Sequence, residues 1–330
     1  MLFDSYGKFI FYDGAMGTML HKAGLKPGDK PDIMNMTMPD AVENINRMYI
    51  EAGSDIICTN TFGANALNLE GTGYTPEEII TAAVAIAKRA IAASAEAVMP
   101  PETAKTLKAS ILPGASVSPS MSALSKASKT PVASAPPQTA TPPKVALDIG
   151  PTGQLLEPFG GLEPERAYEL FSEMAVAGEK AGADFAAIET MSDLEEIKAA
   201  MSAVKENTSL PILATMTFDK TGRTFMGCTA ESFVEAAELI GAAAVGLNCS
   251  LEPPQMLETA KRIVKATKLP LIIKPNAGLP DVESGRYNTG AEEFAAQMIP
   301  YAKLGARIVG GCCGTTPEYI RALREAFSEI

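Results

Sequence analysis

Residues 185–206, FAAIETMSDLEEIKAAMSAVKE, contain the unit that determines the fold. An apolar run at 185–190 predicts a buried β-strand, and residues 194–206 carry apolar side chains at helical spacing. Strand–helix pairs of this kind recur eight times along the chain. The predicted strands are 8–15, 55–62, 145–150, 185–190, 212–218, 244–249, 271–276 and 307–311, and the predicted helices are 39–52, 76–98, 164–181, 194–206, 230–240, 254–266, 291–304 and 317–327.

Strict alternation of strands and helices predicts a parallel sheet, and eight strands is the number that closes into a (β/α)8 TIM barrel. The alternative is a doubly wound open sheet, which usually has a G-x-G-x-x-G turn after its first strand. This chain has DGAMGT at 13–18, where the third glycine is missing. We therefore expect an α/β TIM barrel, formed as a single domain by residues 1–330.

One segment interrupts the alternation. Residues 100–143, between the predicted helix 76–98 and the predicted strand 145–150, are rich in Pro, Ser, Ala and Thr and contain no aromatic residue. Such a composition does not form a core by itself. We expect a solvated low-complexity insertion on the barrel face opposite the catalytic one, and docking of a partner there is the less favoured interpretation.

Composition excludes several classes of function. The chain has 28 Lys and Arg against 39 Asp and Glu, a net charge of −11, which disfavours nucleic-acid binding by phosphate neutralisation. No stretch approaches the roughly 20 apolar residues of a membrane span, and the charged Asp4 and Lys8 do not fit a signal peptide. We expect a cytoplasmic protein with neither a nucleic-acid nor a membrane partner.

The histidine and cysteine counts limit the choice of metal sites. The single histidine, His21, excludes any site that needs two histidines, and we interpret it as a residue on a helix surface. Five cysteines, an odd number, argue against a disulfide framework. Cys58 and Cys228 have no second thiol nearby in the sequence, so both are interpreted as structural.

The other three cysteines lie at predicted strand ends. Cys249 closes the sixth strand, and Cys312 and Cys313 follow the eighth within GGCCGTTP at 310–317. The carboxyl ends of barrel strands open into one mouth, and the flanking glycines allow adjacent cysteines to face the same site. Three thiolates suit tetrahedral Zn²⁺ with one open position. Each cysteine alone fits a core position as well, so spacing leaves both interpretations open.

The charge of such a centre indicates its chemistry. Three thiolates on Zn²⁺ give a net charge of −1, so a bound water would be poorly acidified and hydrolysis is disfavoured. A thiol substrate fits better, because coordination removes its proton. A fourth thiolate brings the centre to −2 and leaves that sulfur nucleophilic enough to attack a methyl group.

The strand-end motifs together resemble the homocysteine S-methyltransferase family, and most of all the homocysteine-binding module of cobalamin-dependent methionine synthases. The resemblance covers nearly the whole chain apart from the insertion. The motifs are DGAMGT at 13–18, TNTFGA at 59–64, DIGPTG at 148–153, ET at 189–190, GLNC at 246–249, PNAG at 275–278 and GGCCGTTP at 310–317.

This resemblance implies a barrel that holds Zn²⁺ on Cys249, Cys312 and Cys313 and activates homocysteine as a thiolate, with methionine as the product. It also implies that Asn276 occupies the fourth zinc position until the substrate sulfur displaces it. From the residues alone, Asn276 is better interpreted as a turn residue.

Homocysteine also carries an ammonium and a carboxylate. Glu189, at the end of the fourth strand, is the natural partner of the ammonium, and the N–H groups of Gly14 and Ala15 could hold the carboxylate. The resemblance supports a position near the amino acid for Asp13 and Glu189, although a turn and a surface ion pair explain these two equally well from sequence. Weaker candidates at the same rim are Asn60 and Asp148.

The methyl donor is less well defined by the sequence. The cobalamin-binding motif D-x-H-x-x-G is missing, because His21 lies in MLHKAG at 19–24 without the aspartate. We therefore expect methylcobalamin to act as donor on a separate corrinoid protein or module. The alternative is a small-molecule donor such as betaine or S-methylmethionine.

Two other classes of function stay open at this stage. Gly310, Gly311 and Gly314 could bind phosphate, as loops after the last two barrel strands often do, in an aldolase or isomerase with Lys274 as its reactive lysine. The other class is a noncatalytic carrier of thiols or metal, or a module that only binds homocysteine.

Overall fold

The strands of the computed structural model lie where the sequence predicts them; the structure describes residues 2–98, 141–280 and 287–330. Residues 100–140 of the predicted insertion lie outside the described residues, so the insertion stays a prediction. The eight strands are β1 (Ile10–Phe11), β2 (Ile56–Cys58), β3 (Lys144–Ile149), β4 (Phe185–Met191), β5 (Ile212–Met216), β6 (Ala244–Asn248), β7 (Leu271–Lys274) and β8 (Ala306–Val309).

The long helices also match the predicted ones to within one or two residues. Two short helices at the N-terminal end, α1 and α2, are additional. The helices are α1 (Met16–Lys22), α2 (Met34–Thr37), α3 (Pro39–Glu51), α4 (Pro76–Val98), α5 (Pro164–Ala181), α6 (Leu194–Asn207), α7 (Ala230–Ile240), α8 (Pro253–Ala266), α9 (Ala291–Leu304) and α10 (Pro317–Ser328). Among the described residues, no helix has the length and apolar character needed to cross a membrane.

The eight strands form one parallel sheet in the order β1-β8-β7-β6-β5-β4-β3-β2. Its two edges meet, because Tyr12 pairs with Ile56 in a parallel bridge and the Asp13 N–H donates to the Ile56 carbonyl at 3.1 Å. The sheet therefore closes as a barrel, which confirms the predicted fold class.

Apolar side chains fill two separate layers, as alternation along a barrel strand requires. Between sheet and helices lies a large core to which every helix longer than ten residues contributes buried side chains. A smaller cluster fills the barrel interior, and its lower part is made of aromatic side chains that include Phe3, Tyr6 and Phe185. The ring of Phe3 stacks on that of Phe185 with centroids 6.3 Å apart. The lower half of the interior is therefore packed, whereas a cavity lies at the carboxyl ends of the strands.

The first two strands are shorter than predicted: β1 covers two residues of 8–15, and β2 covers three residues of 55–62. After Tyr12 the chain turns inward, and the Ala15 N–H donates to the Thr315 carbonyl at 3.0 Å. Gly14 permits this crossing, since a Cβ there would lie 2.6 Å from Thr315 Oγ1 and 2.8 Å from its carbonyl oxygen. The DGAMGT segment is thus tied to the loop after β8, beside Cys312 and Cys313.

Candidate metal centre and adjoining pocket

Cys249, Cys312 and Cys313 come together at the barrel mouth, where their sulfur atoms lie within 4.8 Å of one another. The residues after β6 adopt a left-handed conformation, with φ of 58° at Cys249 and 51° at Ser250, which turns the chain away from the strand direction. The loop after β8 is tied to the segment after β7, because the Cys312 N–H donates to the Pro275 carbonyl at 2.8 Å. These backbone constraints bring two adjacent cysteines and a distant one to the same point.

The sulfur spacing fits a tetrahedral metal ion. Zn–S bonds of about 2.3 Å at the tetrahedral angle require sulfur atoms about 3.8 Å apart. The Cys249 and Cys313 sulfurs are 3.7 Å apart. Soft thiolate ligands without histidine favour zinc over hard cations such as Mg²⁺. The donor set and spacing therefore match a three-cysteine zinc site with room for a fourth ligand.

Proton sharing within the cluster favours a thiolate at Cys313. Hydrogen bonds from Cys249 and Cys312 lower the pKa of the Cys313 thiol to about 3. For Cys249, a hydrogen bond with Cys312 lowers the pKa, but the contact with Cys313 and burial outweigh it and raise the pKa to about 11. The contacts with Cys249 and Cys313 raise the pKa of Cys312 well above its usual value. The cluster thus already stabilises negative charge on sulfur.

Asn276 is near this cluster through its backbone. It lies between Pro275, whose carbonyl accepts from Cys312, and Ala277, whose N–H donates to the Cys313 carbonyl at 3.0 Å. Its side chain is buried, and among the described residues the amide oxygen has no hydrogen-bond partner. A buried oxygen without a partner is unfavourable, so it is chemically suited to act as a ligand.

A cavity of about 240 Å³ adjoins the sulfur atoms. Its lining includes every site residue predicted from the sequence except Asn276. The lining includes Asp13, Gly14, Ala15, Cys58, Asn60, Asp148, Glu189, Lys274, Cys249, Cys312 and Cys313. Polar groups that converge in one concave site beside a cluster of thiols are typical of a substrate pocket.

Three carboxyl groups and one ammonium form the floor of this pocket. Lys274, on β7, pairs with Glu189 across the barrel interior, and its Nζ also lies 4.3 Å from the centre of the Tyr12 ring. Asp13 accepts the Cys58 N–H at 2.7 Å through Oδ2. One oxygen each of Asp13 and Asp148 is buried with no partner among the described residues. The pocket thus offers free acceptors for a positively charged group.

Burial is the main cause of the raised pKa values of the two aspartates in the pocket floor. It raises the pKa of Asp13 to about 6, although Lys274 and the Cys58 N–H oppose the shift. Burial, with Glu189 nearby, raises the pKa of Asp148 well above its usual value. Burial alone would lower the pKa of Lys274, but Glu189 and other acidic neighbours raise it well above its usual value. Lys274 is therefore a fixed positive charge under the pocket.

Other predicted residues have roles in the local structure. The side-chain amide of Asn60 donates to the Pro31 carbonyl at 2.8 Å, and the backbone carbonyl of Asn60 accepts from the side-chain amide of Asn35 at 2.7 Å. The Ala15 N–H is already engaged with Thr315. Near the end of α1, His21 contacts the Leu25 carbonyl through Nδ1. Cys228 is half-buried and does not line the pocket.

Sequence reasoning missed some features of the site. Cys58 was interpreted as structural, yet it lines the pocket and its sulfur lies within 4.8 Å of carboxylate oxygens of Asp148 and Glu189. The pairing of Lys274 with Glu189 joins strands that are not neighbours in the sheet, so no local pattern indicates it. The left-handed conformation of Thr190, with φ of 63°, has no sequence signal either, because it is not a glycine.

The fold and the site define a closed α/β barrel with a thiol cluster at its mouth, suited to a soft divalent metal. The chain belongs to the homocysteine S-methyltransferase family, whose profile matches residues 10–327. This confirms the resemblance seen in the strand-end motifs.

Two relatives are named methionine synthase. That of Mycobacterium leprae is 29% identical over 330 residues, 95% of this chain, and that of Mycobacterium tuberculosis is 29% identical over 334 residues, 96% of this chain. The chain spans 24% of the length of each of these proteins. Among solved structures, the metallated Escherichia coli homocysteine methyltransferase MmuM has a TM-score of 0.74 at 20% identity, covering 98% of this chain and 99% of that one. At this identity the structural likeness supports the fold alone.

Proposed function

We propose that the protein is a zinc-dependent homocysteine S-methyltransferase that forms methionine. The observation that carries this proposal is a trio of sulfurs within 4.8 Å of one another, one pair of them 3.7 Å apart as in a tetrahedral zinc site, beside a pocket lined by carboxyl groups. Family membership and the relatives named methionine synthase support the same assignment. Cys249, Cys312 and Cys313 would hold the zinc, with the Asn276 oxygen as the fourth ligand in the absence of substrate.

Zinc bound there would supply a positive centre that favours the thiolate form of an incoming thiol. The residues of the chain position the rest of the amino acid. Glu189, held by Lys274, lines the pocket together with Asp13 and Asp148, each of which has one oxygen without a partner among the described residues, and these three carboxyl groups would receive the ammonium. The DGAMGT segment, of which Gly14 lines the pocket, would lie beside the carboxylate. Homocysteine would thus be oriented with its sulfur toward the cysteines.

For the methyl donor, we propose a methyl-corrinoid carried by a separate protein or module. The chain matches only a quarter of each methionine synthase relative and lacks the D-x-H-x-x-G motif. A small-molecule donor, betaine or S-methylmethionine, is the alternative that the experiment below separates.

The aldolase alternative is not supported by the site. Schiff-base chemistry needs a neutral amine, whereas Lys274 is paired with Glu189 and its raised pKa keeps it charged. The family assignment points to a different chemistry as well.

The first test is metal content and its loss on mutation. We expect about one zinc per chain by elemental analysis of freshly purified protein, and loss of that metal in Cys249→Ala, because two remaining sulfurs hold zinc far more weakly than three. The matched control is Cys228→Ala, a half-buried thiol outside the pocket, which should keep its zinc. An active wild-type protein without zinc would contradict the proposal.

The second test is a panel of donors with homocysteine: methylcobalamin, betaine, S-methylmethionine and S-adenosylmethionine. We expect methionine with methylcobalamin, measured by mass spectrometry, and little with the other donors. Methionine formed only from betaine or S-methylmethionine would establish the small-molecule alternative. Calorimetric binding of homocysteine with no product from any donor would instead identify a binding module.

A further inference from the structure

Asn248, the last residue of β6, is fully buried beside the cysteines, although the proposed chemistry assigns it no task. Its side chain makes four contacts. Oδ1 accepts the Thr190 N–H and the Thr215 hydroxyl, each at 2.8 Å. Nδ2 donates to Thr190 Oγ1 at 2.7 Å and lies 3.9 Å from the Cys312 sulfur. One amide thus joins β4, β5 and the loop after β8.

The orientation of this amide is fixed by its partners. A backbone N–H can only donate, so the oxygen of Asn248 must face Thr190. The amide nitrogen therefore points toward Cys312, and its two N–H groups are directed at Thr190 Oγ1 and the sulfur. An N–H directed at a thiolate sulfur is a charge-assisted contact, which stabilises negative charge on that sulfur.

The hydrogen bonds between Asn248 and Thr190 also affect Glu189, which precedes Thr190 in β4. The pairing of β4 with β5 shifts register between Ile188 and Met191, so Glu189 and Thr190 form an irregular segment of the strand. Thr190 has a φ of 63°, a conformation unfavourable for a threonine. Two hydrogen bonds with Asn248, one donated by the Thr190 N–H and one accepted by Thr190 Oγ1, hold it there. Because irregular segments redirect side chains, this arrangement aims Glu189 at Lys274 and the pocket.

We propose that Asn248 is a positioning residue that couples the metal centre to the amino-acid pocket. The Nδ2 group of Asn248 orients and polarises the Cys312 sulfur. The hydrogen bonds between Asn248 and Thr190 hold Thr190 in its left-handed conformation and thereby position Glu189. Partners of this kind commonly change metal affinity ten- to a hundredfold when they are removed. The inference has two parts. The zinc half, the effect of Asn248 on the Cys312 sulfur, needs only the cysteines. The substrate half, its effect on Glu189 and homocysteine binding, rests on the proposed function.

The test of the zinc half uses Asn248→Asp, which keeps the shape and both accepted hydrogen bonds but replaces the two N–H donors with an anionic oxygen. We expect zinc affinity, measured by competition with a chromophoric chelator, to fall at least tenfold. The thiolate-to-metal absorption band of the Co²⁺-loaded protein should shift as well. The matched comparison is Thr215→Val, which removes a hydrogen bond from the same amide but leaves both Nδ2 contacts; its zinc affinity should change less than threefold.

Wild-type zinc affinity and an unshifted cobalt band in Asn248→Asp would overturn the zinc half, and so would an equal loss of affinity in Thr215→Val. If Asn248→Asp does not fold, Asn248→Ser serves instead, since its hydroxyl is too short to reach the sulfur from the same backbone position. Circular dichroism of each variant checks folding before metal is added.

The test of the substrate half measures homocysteine binding to zinc-saturated protein by calorimetry. Asn248→Ser should bind at least tenfold more weakly, and adding Thr190→Gly should restore part of the loss, because glycine adopts a positive φ without strain. Unchanged binding in Asn248→Ser, or no restoration in the double variant, would overturn this half. Failure of every methyl donor would instead contradict the proposed function and leave the zinc result unaffected.

Discussion

At the scale of single residues, Asp13 has an environment that makes stability depend on pH. Burial raises its pKa to about 6 from an ordinary value near 3.8. The native state therefore holds the proton more tightly than the unfolded state between about pH 4 and 6, and the free energy of unfolding falls as pH rises through this window. The shift corresponds to about 3 kcal/mol.

Asp13→Asn should remove this dependence, because an amide does not titrate and its oxygen can still accept the Cys58 N–H. We expect the variant to gain stability relative to wild type as pH rises from 4 to 6, by up to about 3 kcal/mol. Urea denaturation at several pH values, with a chelator present throughout, measures this difference. The exposed Asp40→Asn is the control, and parallel pH profiles for Asp13→Asn and wild type would show the prediction to be wrong.

The sequence indicated which residues come together at the barrel mouth better than it indicated their interactions. Cys249, Cys312 and Cys313 could be grouped because each follows a strand of a parallel barrel, and such strand ends share one mouth. The pairing of Lys274 with Glu189 and the position of Cys58 at the pocket were not predicted. They arise from closure of the sheet, which brings together strands distant in the chain. The roles of Asp13, Asp148, Asn60 and Asn276 toward a ligand stay predictions.

At the scale of secondary-structure elements, the close approach of β6 to β7 supports the metal centre. Gly246 lies in β6 opposite Ile272, and a Cβ at Gly246 would lie 1.9 Å from the Ile272 carbonyl oxygen. The obstructing atom belongs to the backbone, so it cannot move aside as a side chain would. Cys249 follows β6 directly and Asn276 lies two residues after β7, so we expect their spacing to depend on this contact.

Gly246→Ala should therefore push the two strands apart. We expect a loss of about 3 kcal/mol in the free energy of unfolding and weaker zinc binding, measured by denaturation and chelator competition. Gly161→Ala, where a Cβ would meet nothing within 4 Å, should behave like wild type. Wild-type zinc affinity in Gly246→Ala would show that the strand spacing does not set the metal geometry.

The elements themselves were predictable because alternating apolar runs and helical periods extend over the whole chain. The exceptions have physical reasons. The first strand was predicted over 8–15 but ends at Phe11, since the following turn crosses the mouth toward Thr315. The four-residue helix α2 is too short to show a helical period in the sequence.

At the scale of the whole molecule, the two ends of the barrel interior have different tasks. Phe3 belongs to the buried cluster at the end opposite the cysteines and stacks on Phe185. Phe3→Ala should lower the free energy of unfolding by about 3 kcal/mol, as truncation of a buried phenylalanine does, and leave zinc affinity unchanged. Leu2→Ala, 44% exposed, is the control. Loss of zinc affinity in Phe3→Ala would show that the two ends are coupled.

The start of β3 also lies at this lower end. Thr141 donates to the Ser5 carbonyl at 2.8 Å just before β3 begins, at the edge where strands start and far from the sulfurs. A peptide inserted just before β3 would therefore leave the protein on the side opposite the barrel mouth. A fluorescent reporter or an immobilisation tag grafted there should let the protein be fixed to a surface with its working mouth facing freely outward.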